Sequence, residues 1–79
     1  MVPLSRLGIS PNPNGGLLFI DGIESGARTM TIHDLGGAVV LTARSSTVLN
    51  VSSLAAGTYI LVIRDQQGIA MARAPFIRE

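Results

Sequence analysis

The sequence predicts an all-β fold, an Ig-like antiparallel β-sandwich of about seven short strands. Short apolar stretches are separated by Gly, Pro, Asn and Asp at intervals of roughly ten residues, which is typical of such sandwiches. Nine Gly and four Pro among 79 residues supply the turn-forming positions. No segment has the apolar repeat of an amphipathic helix.

In the first half of the chain, residue type marks the turns. Residues 11–16 read Pro-Asn-Pro-Asn-Gly-Gly and predict a loop, because proline fixes φ and lacks an N–H donor while glycine permits left-handed geometry. In the strand over residues 28–34, Met30 and Ile32 share a face and are expected to point inward. The Gly36-Gly37 pair then predicts a hairpin.

The second half contains the most apolar strand. Residues 52–57 predict a helical turn that is closed by Gly57, with Leu54 pointing inward. The following strand is apolar on both faces, which favours a central position in its sheet or a covered outer face. Residues 65–68 predict a hairpin turn, and Pro75 either places the last strand at an edge or interrupts it. The predicted strands are residues 7–10, 17–20, 28–34, 38–43, 47–51, 57–65 and 69–77.

Length and composition limit what the chain can do. A chain this short builds one small core and has little room for a deep active site. It has no Cys, so neither a disulfide framework nor a thiolate metal site is expected. All six cations are Arg and the net charge is +1, which does not suit nucleic acid. The low charge content also leaves part of the sheet surface apolar, which favours a partner surface or self-association.

The titratable residues do not form a recognisable catalytic or metal-binding set. His33 stands next to Asp34, but adjacent strand residues point to opposite faces and cannot readily form an acid–base pair. Asp21, Asp34 and Asp65 each lie within three residues of a Gly, so turn chemistry explains them, with a weak structural calcium as the open alternative. We therefore predict no enzyme, no catalytic residue, no cofactor and no metal site.

In the C-terminal segment, residues 73–79, one arginine precedes and one follows an apolar Pro-Phe-Ile. One interpretation is an edge strand that arginine and proline protect from aggregation. The other is that this edge is read by a receptor, through strand addition.

Four motifs follow one another in an informative order. They are the Pro-Asn-Pro loop with its apolar strand at residues 10–20, the alternating strand and Asp-Leu-Gly-Gly turn at 30–40, Leu-Asn-Val-Ser-Ser-Leu-Ala-Ala-Gly-Thr-Tyr at 49–59, and the glycine turn and basic strand at 68–78. In this order and spacing the chain resembles the C-terminal sorting domain of type IX secretion cargo, the type A family of Bacteroidetes. It departs from that pattern in Ser10 and His33, where an aromatic is usual, in Asn50, where Asp is usual, and in terminal Arg where Lys is common.

The resemblance implies a secretion signal carried by a larger protein, with residues 1–9 as the linker end and first strand and residues 10–79 as the sorting domain. The parent protein would pass through the periplasm and then reach the cell surface or the medium. The implied partners are the outer-membrane translocon and shuttle proteins, a surface signal peptidase and the parent cargo domain. Self-association through an apolar sheet face or an edge strand stays open. The alternative function is an Ig-like interaction or adhesion module of a cell-surface protein.

The resemblance also implies roles for individual residues. For recognition by the translocon we expect Arg73, Phe76, Ile77 and Arg78, with Pro75 removing one donor from any strand-addition contact. The fold that presents them is expected to depend on Pro11, Asn12, Pro13, Gly36, Gly57, Tyr59 and Gly68.

Overall fold

A computed structural model places the strands of this chain in two sheets. The structure describes residues 5–10 and 15–79. This part of the chain contains no helix, and so none that could span a membrane. The all-β prediction is confirmed. The strands are β1 (Ser5–Arg6), β2 (Gly8–Ser10), β3 (Leu17–Asp21), β4 (Thr29–Asp34), β5 (Val39–Arg44), β6 (Val48–Asn50), β7 (Gly57–Arg64) and β8 (Ala70–Arg78).

The two sheets have five and three strands. The larger sheet has the order β1-β8-β7-β4-β5, and the smaller has the order β2-β3-β6. Neighbours in both sheets are antiparallel, except that the two-residue β1 runs parallel to β8. The apolar β7 is the central strand of the larger sheet, as the sequence predicts. The seven predicted strands all form with ends within one residue or so of those expected, and β1 is an addition that the sequence did not indicate.

The core lies between the two sheets and is filled by alternate residues of the strands. Met30 and Ile32 both point into it, as expected from their shared face. Each large side chain that is buried in this way contributes roughly 1.5–3 kcal/mol through the hydrophobic effect. The largest completely buried side chains are Leu18, Met30, Ile32, Val51, Leu61, Ile63 and Phe76.

Two hairpins of the larger sheet use the same turn. Asp34 and Asp65 each begin a turn in which the backbone carbonyl accepts from a glycine N–H three residues later, at 3.0 Å in both cases. The carboxylate of each Asp also accepts a backbone N–H within its turn. The glycines that close the turns, Gly37 and Gly68, have φ of +90° and +82°, which is costly for any other residue. In the first hairpin the left-handed residue is therefore Gly37, next to the predicted Gly36.

The predicted helical turn after residue 51 forms as a single tight turn, in which the N–H of Leu54 donates to the carbonyl of Val51 at 3.0 Å. Leu54 does pack against the core, as expected. The turn is held from β7, because the hydroxyl of Tyr59 donates to the carbonyl of Ala55 at 2.7 Å. This bond connects the turn to the central strand of the larger sheet.

The hydroxyl of Tyr59 is expected to have a measurable role in stability. Tyr59→Phe keeps the ring but leaves the carbonyl of Ala55 without its partner, which costs about 1 kcal/mol. Urea unfolding should show a lower midpoint with an unchanged slope. Thr58→Val, at the exposed neighbouring position, is the control and should change stability by less than about 0.5 kcal/mol. Equal midpoints for Tyr59→Phe and the parent chain would contradict this role.

The left-handed glycine of the second hairpin gives another prediction. Gly68→Ala forces an alanine to adopt φ of +82° and should destabilise the domain by about 1–2 kcal/mol, measured by thermal unfolding. The matched control is Gly15→Ala, where the added methyl group meets no atom within 4 Å and φ is outside the left-handed region. If both variants unfold at the same temperature, the hairpin does not depend on this backbone conformation.

Candidate functional site

The terminal strand β8 lies between the central β7 and the short β1. Its register with β7 runs from Gly57 opposite Arg78 to Arg64 opposite Ala70. On its other side, β1 pairs only with Ala72 and Arg73, and no strand of the described residues continues along that edge. β8 is therefore a partly covered edge strand.

Pro75 does not interrupt β8. It lies opposite Ile60 in the register and the strand continues for three more residues to Arg78. A proline has no N–H, so this place in the ladder suits it only if its nitrogen faces away from β7, toward the outer edge. The edge interpretation of Pro75 is the one that the structure supports.

The four residues that the sequence predicts for recognition lie in different surroundings. Arg73 and Ile77 point outward, and Ile77 is 47% exposed. Phe76 is 1% exposed and stacks on Tyr59 with ring centroids 5.8 Å apart, so a partner of the folded domain cannot contact it. The half-buried Arg78 is held by the turn that follows β6. Recognition by these four residues stays a prediction. The structure places two of them, Arg73 and Ile77, on the same face of β8.

Arg78 connects the end of β8 to the neighbouring turn. Its Nε donates to the carbonyl of Val51 at 3.1 Å, and a terminal nitrogen donates to the carbonyl of Ser52 at 3.3 Å. Another terminal nitrogen donates to the carbonyl of Glu79. The guanidinium thus satisfies backbone acceptors on both sides of the strand end and fixes its position.

A shallow groove of about 260 Å³ lies on the outward face of the larger sheet, next to β8. Ile60 and Val62 of β7 lie along it, and Arg64 and Arg73 provide its positive charge. Val62 is only 9% exposed although it points away from the core. The sequence indicates Ile60 and Val62 only through the two-sided apolar pattern of β7. Arg73 was predicted as a recognition residue, and Arg64 was not predicted at all.

A chain of hydrogen bonds orders one side of this groove. Nε of Arg64 donates to the hydroxyl oxygen of Thr31 at 3.4 Å, and a terminal nitrogen donates to the carbonyl of Gly68 at 3.1 Å. Nδ1 of His33 lies 3.4 Å from the carbonyl oxygen of Gly37, which can only accept, so this nitrogen carries the hydrogen. In the neutral ring Nε2 then accepts from the Thr31 hydroxyl at 2.9 Å. Arg64 is held in place by these contacts.

His33 and Asp34 use different partners. The imidazole bonds to Thr31 and to the backbone of Gly37, whereas the carboxylate accepts from the N–H of Ala38 at 3.0 Å. The two side chains therefore bond to different groups and not to each other. Among residues 5–10 and 15–79, no group of three or more His, Asp or Glu side chains is arranged to hold a metal ion.

A second surface feature is an apolar patch on the smaller sheet. Phe19 and Val48 lie directly opposite each other on β3 and β6. Leu17 lies two residues before Phe19, on the same face of β3. All three are exposed large hydrophobic side chains. The expectation that part of the sheet surface stays apolar is confirmed, and self-association through such a face stays a prediction.

Comparison with known families identifies the type of domain. A family model described as a secretion system C-terminal sorting domain matches residues 8–74. The chain belongs to this family. No curated protein and no solved structure matches it. The match includes every residue predicted to support the fold, and it ends before Phe76, Ile77 and Arg78.

The sorting domain is a signal for type IX secretion. It directs the protein that carries it across the outer membrane to the cell surface or the medium, and it interacts with the secretion machinery and a cargo domain. The family's role is sorting rather than catalysis. The alternative of an adhesion module is not favoured by this match.

Some of the predicted fold residues can be placed in the sorting domain. Tyr59 and Gly68 have the structural roles described above, and Gly57 begins β7. Gly36 lies inside the first hairpin turn, where an added methyl group would come within 3.3 Å of the Asp34 carboxylate. Pro11, Asn12 and Pro13 lie outside the described residues.

The departure at Asn50 has a structural explanation. Its side-chain oxygen accepts from the N–H of Ser52 at 2.9 Å and from the Ser52 hydroxyl at 2.6 Å. This is a side-chain turn that starts the 51–54 segment, and only the oxygen takes part in it. An aspartate provides the same acceptor, so either residue suits the position.

We therefore expect Asn50→Asp and Asn50→Ala to differ. Asn50→Asp keeps the acceptor and should leave stability within about 0.5 kcal/mol of the parent domain. Asn50→Ala removes two hydrogen bonds and should cost about 1 kcal/mol by chemical denaturation. Ser53→Ala, exposed in the same turn, serves as the control. A loss of equal size in the Asp and Ala variants would show that the amide nitrogen, and not the oxygen, is required.

Proposed function

We propose that the secretion machinery reads the sorting domain from the outward side chains of β8. Arg73 and Ile77 would make the contacts, while Phe76 and Arg78 hold the strand in the position in which it is read. The observation that carries this proposal is that Arg73 and Ile77 are both exposed on one face of a partly covered edge strand.

Recognition of β8 through its outward side chains fits the structure better than recognition by addition of a strand to its edge. β1 already occupies the edge at Ala72 and Arg73, and Pro75 has no N–H to offer. A strand added beyond Arg73 would therefore meet an interrupted ladder of donors. The outward side chains are present whatever covers the edge, and they combine a positive charge with an apolar residue.

The partners and route that this proposal includes are those implied by the resemblance. The parent protein passes through the periplasm, and its sorting domain is bound by shuttle proteins and the outer-membrane translocon. In cargoes that lose the domain, a surface signal peptidase removes it after export, and in others the domain is retained. Residues 1–9 form the linker end and first strand, and residues 10–79 form the domain that is recognised. The domain itself catalyses no reaction, which agrees with titratable side chains that are used in turns and in the groove network.

The test is export of a reporter. Residues 1–79 are fused behind a periplasmic reporter protein in a bacterium that has type IX secretion, and the reporter is measured at the surface, in the medium and in the periplasm. The parent fusion should be exported. The double variant Arg73→Ala, Ile77→Ser should leave most of the reporter in the periplasm, since it removes both outward contacts without touching the core.

The control for this test removes an exposed arginine and an exposed hydrophobic residue elsewhere. Arg28→Ala with Val48→Ser changes an exposed arginine and an exposed β-branched apolar residue away from β8, and this variant should be exported like the parent. Deletion of residues 69–79 is a less specific test, because it also removes Phe76 from the core. Normal export of the Arg73→Ala, Ile77→Ser variant would overturn the proposal. Light scattering of the isolated chain tests self-association separately, and a strict monomer at high concentration would count against it.

A further inference from the structure

The outward face of the larger sheet has an apolar end. The register places Ile60 of β7 beside His33 of β4, and His33 beside Val39 of β5. Val39 is 55% exposed, and Val40 follows it at a β-bulge where the register shifts, also exposed. Leu35 in the adjoining turn is exposed as well. Together with Pro75, which lies opposite Ile60, these side chains form a row across four strands.

The other end of the same face is basic. One row further along, Arg73 lies opposite Val62, and in the next row Arg64 and Arg44 lie on either side of Thr29. Arg44 and Arg73 are exposed. The outward positions of β4, β5, β7 and β8 carry three arginines and no carboxylate. One carboxylate, that of Asp34, borders the groove at the apolar end, where it accepts the N–H of Ala38.

The groove joins these two ends into one surface. It runs past Ile60 and Val62 to Arg64, whose guanidinium is already oriented by Thr31 and Gly68. A charged group that is held in advance loses little side-chain freedom on binding. Within a single sheet, the face therefore combines the fixed positive charge of Arg64, the freer charges of Arg44 and Arg73, and an apolar row.

We propose that this whole outward face, from β8 across to β5, binds a protein surface on which carboxylates lie next to apolar side chains. The inference rests on the proposed function, because it extends the surface that the secretion machinery reads beyond β8 and states the chemistry of the partner. Charge complementarity selects carboxylates for the three arginines, and the exposed row requires apolar groups beside them.

Other occupants fit this face less well. A second copy that presented this same face would bring arginines against arginines, because the outward strand positions carry no carboxylate. An anionic polysaccharide or lipid headgroup would match the arginines and leave the apolar row in contact with water. A nucleic acid calls for a larger positive charge than the +1 of the chain.

The first experiment uses Arg44, which lies on β5 and is separated from β8 by two strands. In the reporter fusion, Arg44→Glu should lower export about tenfold, corresponding to roughly 1.4 kcal/mol of binding free energy. Arg28→Glu is the matched control. It is an exposed arginine with the same change of charge, and it lies just before β4, outside the strands that form the outward face. Its export should change less than twofold, and both variants should unfold at the temperature of the parent chain.

The second experiment identifies the chemistry of the partner. A photo-reactive benzophenone amino acid is placed at Thr42, which is exposed on the outward face, and at Leu17 on the smaller sheet as the control. After irradiation of exporting cells, Thr42 should give a cross-link to a protein segment that contains Asp or Glu beside apolar residues, and Leu17 should not give that product.

Each outcome decides between the inference and the function on which it rests. Normal export of Arg44→Glu, or cross-links from Thr42 only to a second copy, a polysaccharide or a lipid, overturns the inference. The proposed function then still stands if the Arg73→Ala, Ile77→Ser variant fails to export. If that double variant is exported normally, the proposed function falls and the inference falls with it. A Thr42 position that gives no product during export also overturns the inference.

Discussion

The packing of β8 against β7 is the constraint on which the rest of this sorting domain depends. The chain has no cysteine, so the terminal strand is held by its ladder with β7 and by burial of Phe76 against Tyr59. Tyr59 in turn holds the 51–56 turn through its hydroxyl, and Arg78 ties the strand end to the backbone of the same turn. The core, the terminal strand and the turn beside it are therefore stabilised by one connected set of contacts.

This packing also decides which side chains face the solvent. Because side chains alternate along a strand, burial of Ala72, Ala74 and Phe76 places Arg73 and Ile77 on the outward face. A slip of one residue between β7 and β8 would bury Arg73 and expose Phe76. The core contact thus specifies the register, and the register specifies the surface that a partner meets. A small domain without disulfides can in this way present a defined outward face at its terminal strand.

The sequence predicts the local parts of this structure better than the long-range ones. The two hairpins are predictable because Asp at the start and Gly at the end of each turn have direct conformational reasons. The bond from Tyr59 to Ala55 could not be predicted, because it depends on the packing of β7 against the 51–56 turn. Burial of Phe76 could have been inferred from alternation along residues 70–78. The positions of Arg44 and Arg64 on either side of Thr29 could not be inferred from the sequence, because they depend on the order of strands in the sheet.

The exclusive use of arginine has a structural reason at some positions. Arg78 donates to the carbonyls of Val51 and Ser52 from different nitrogens, and Arg64 donates to the hydroxyl oxygen of Thr31 and to the carbonyl of Gly68. A guanidinium has five donors in a rigid plane, whereas a lysine ammonium is a single compact centre that would reach such separated acceptors less well. At these two positions arginine is a structural connector as well as a charge. Arg44 and Arg73 are exposed and make no such connection among the described residues, so in the proposed binding surface they would act through their charge.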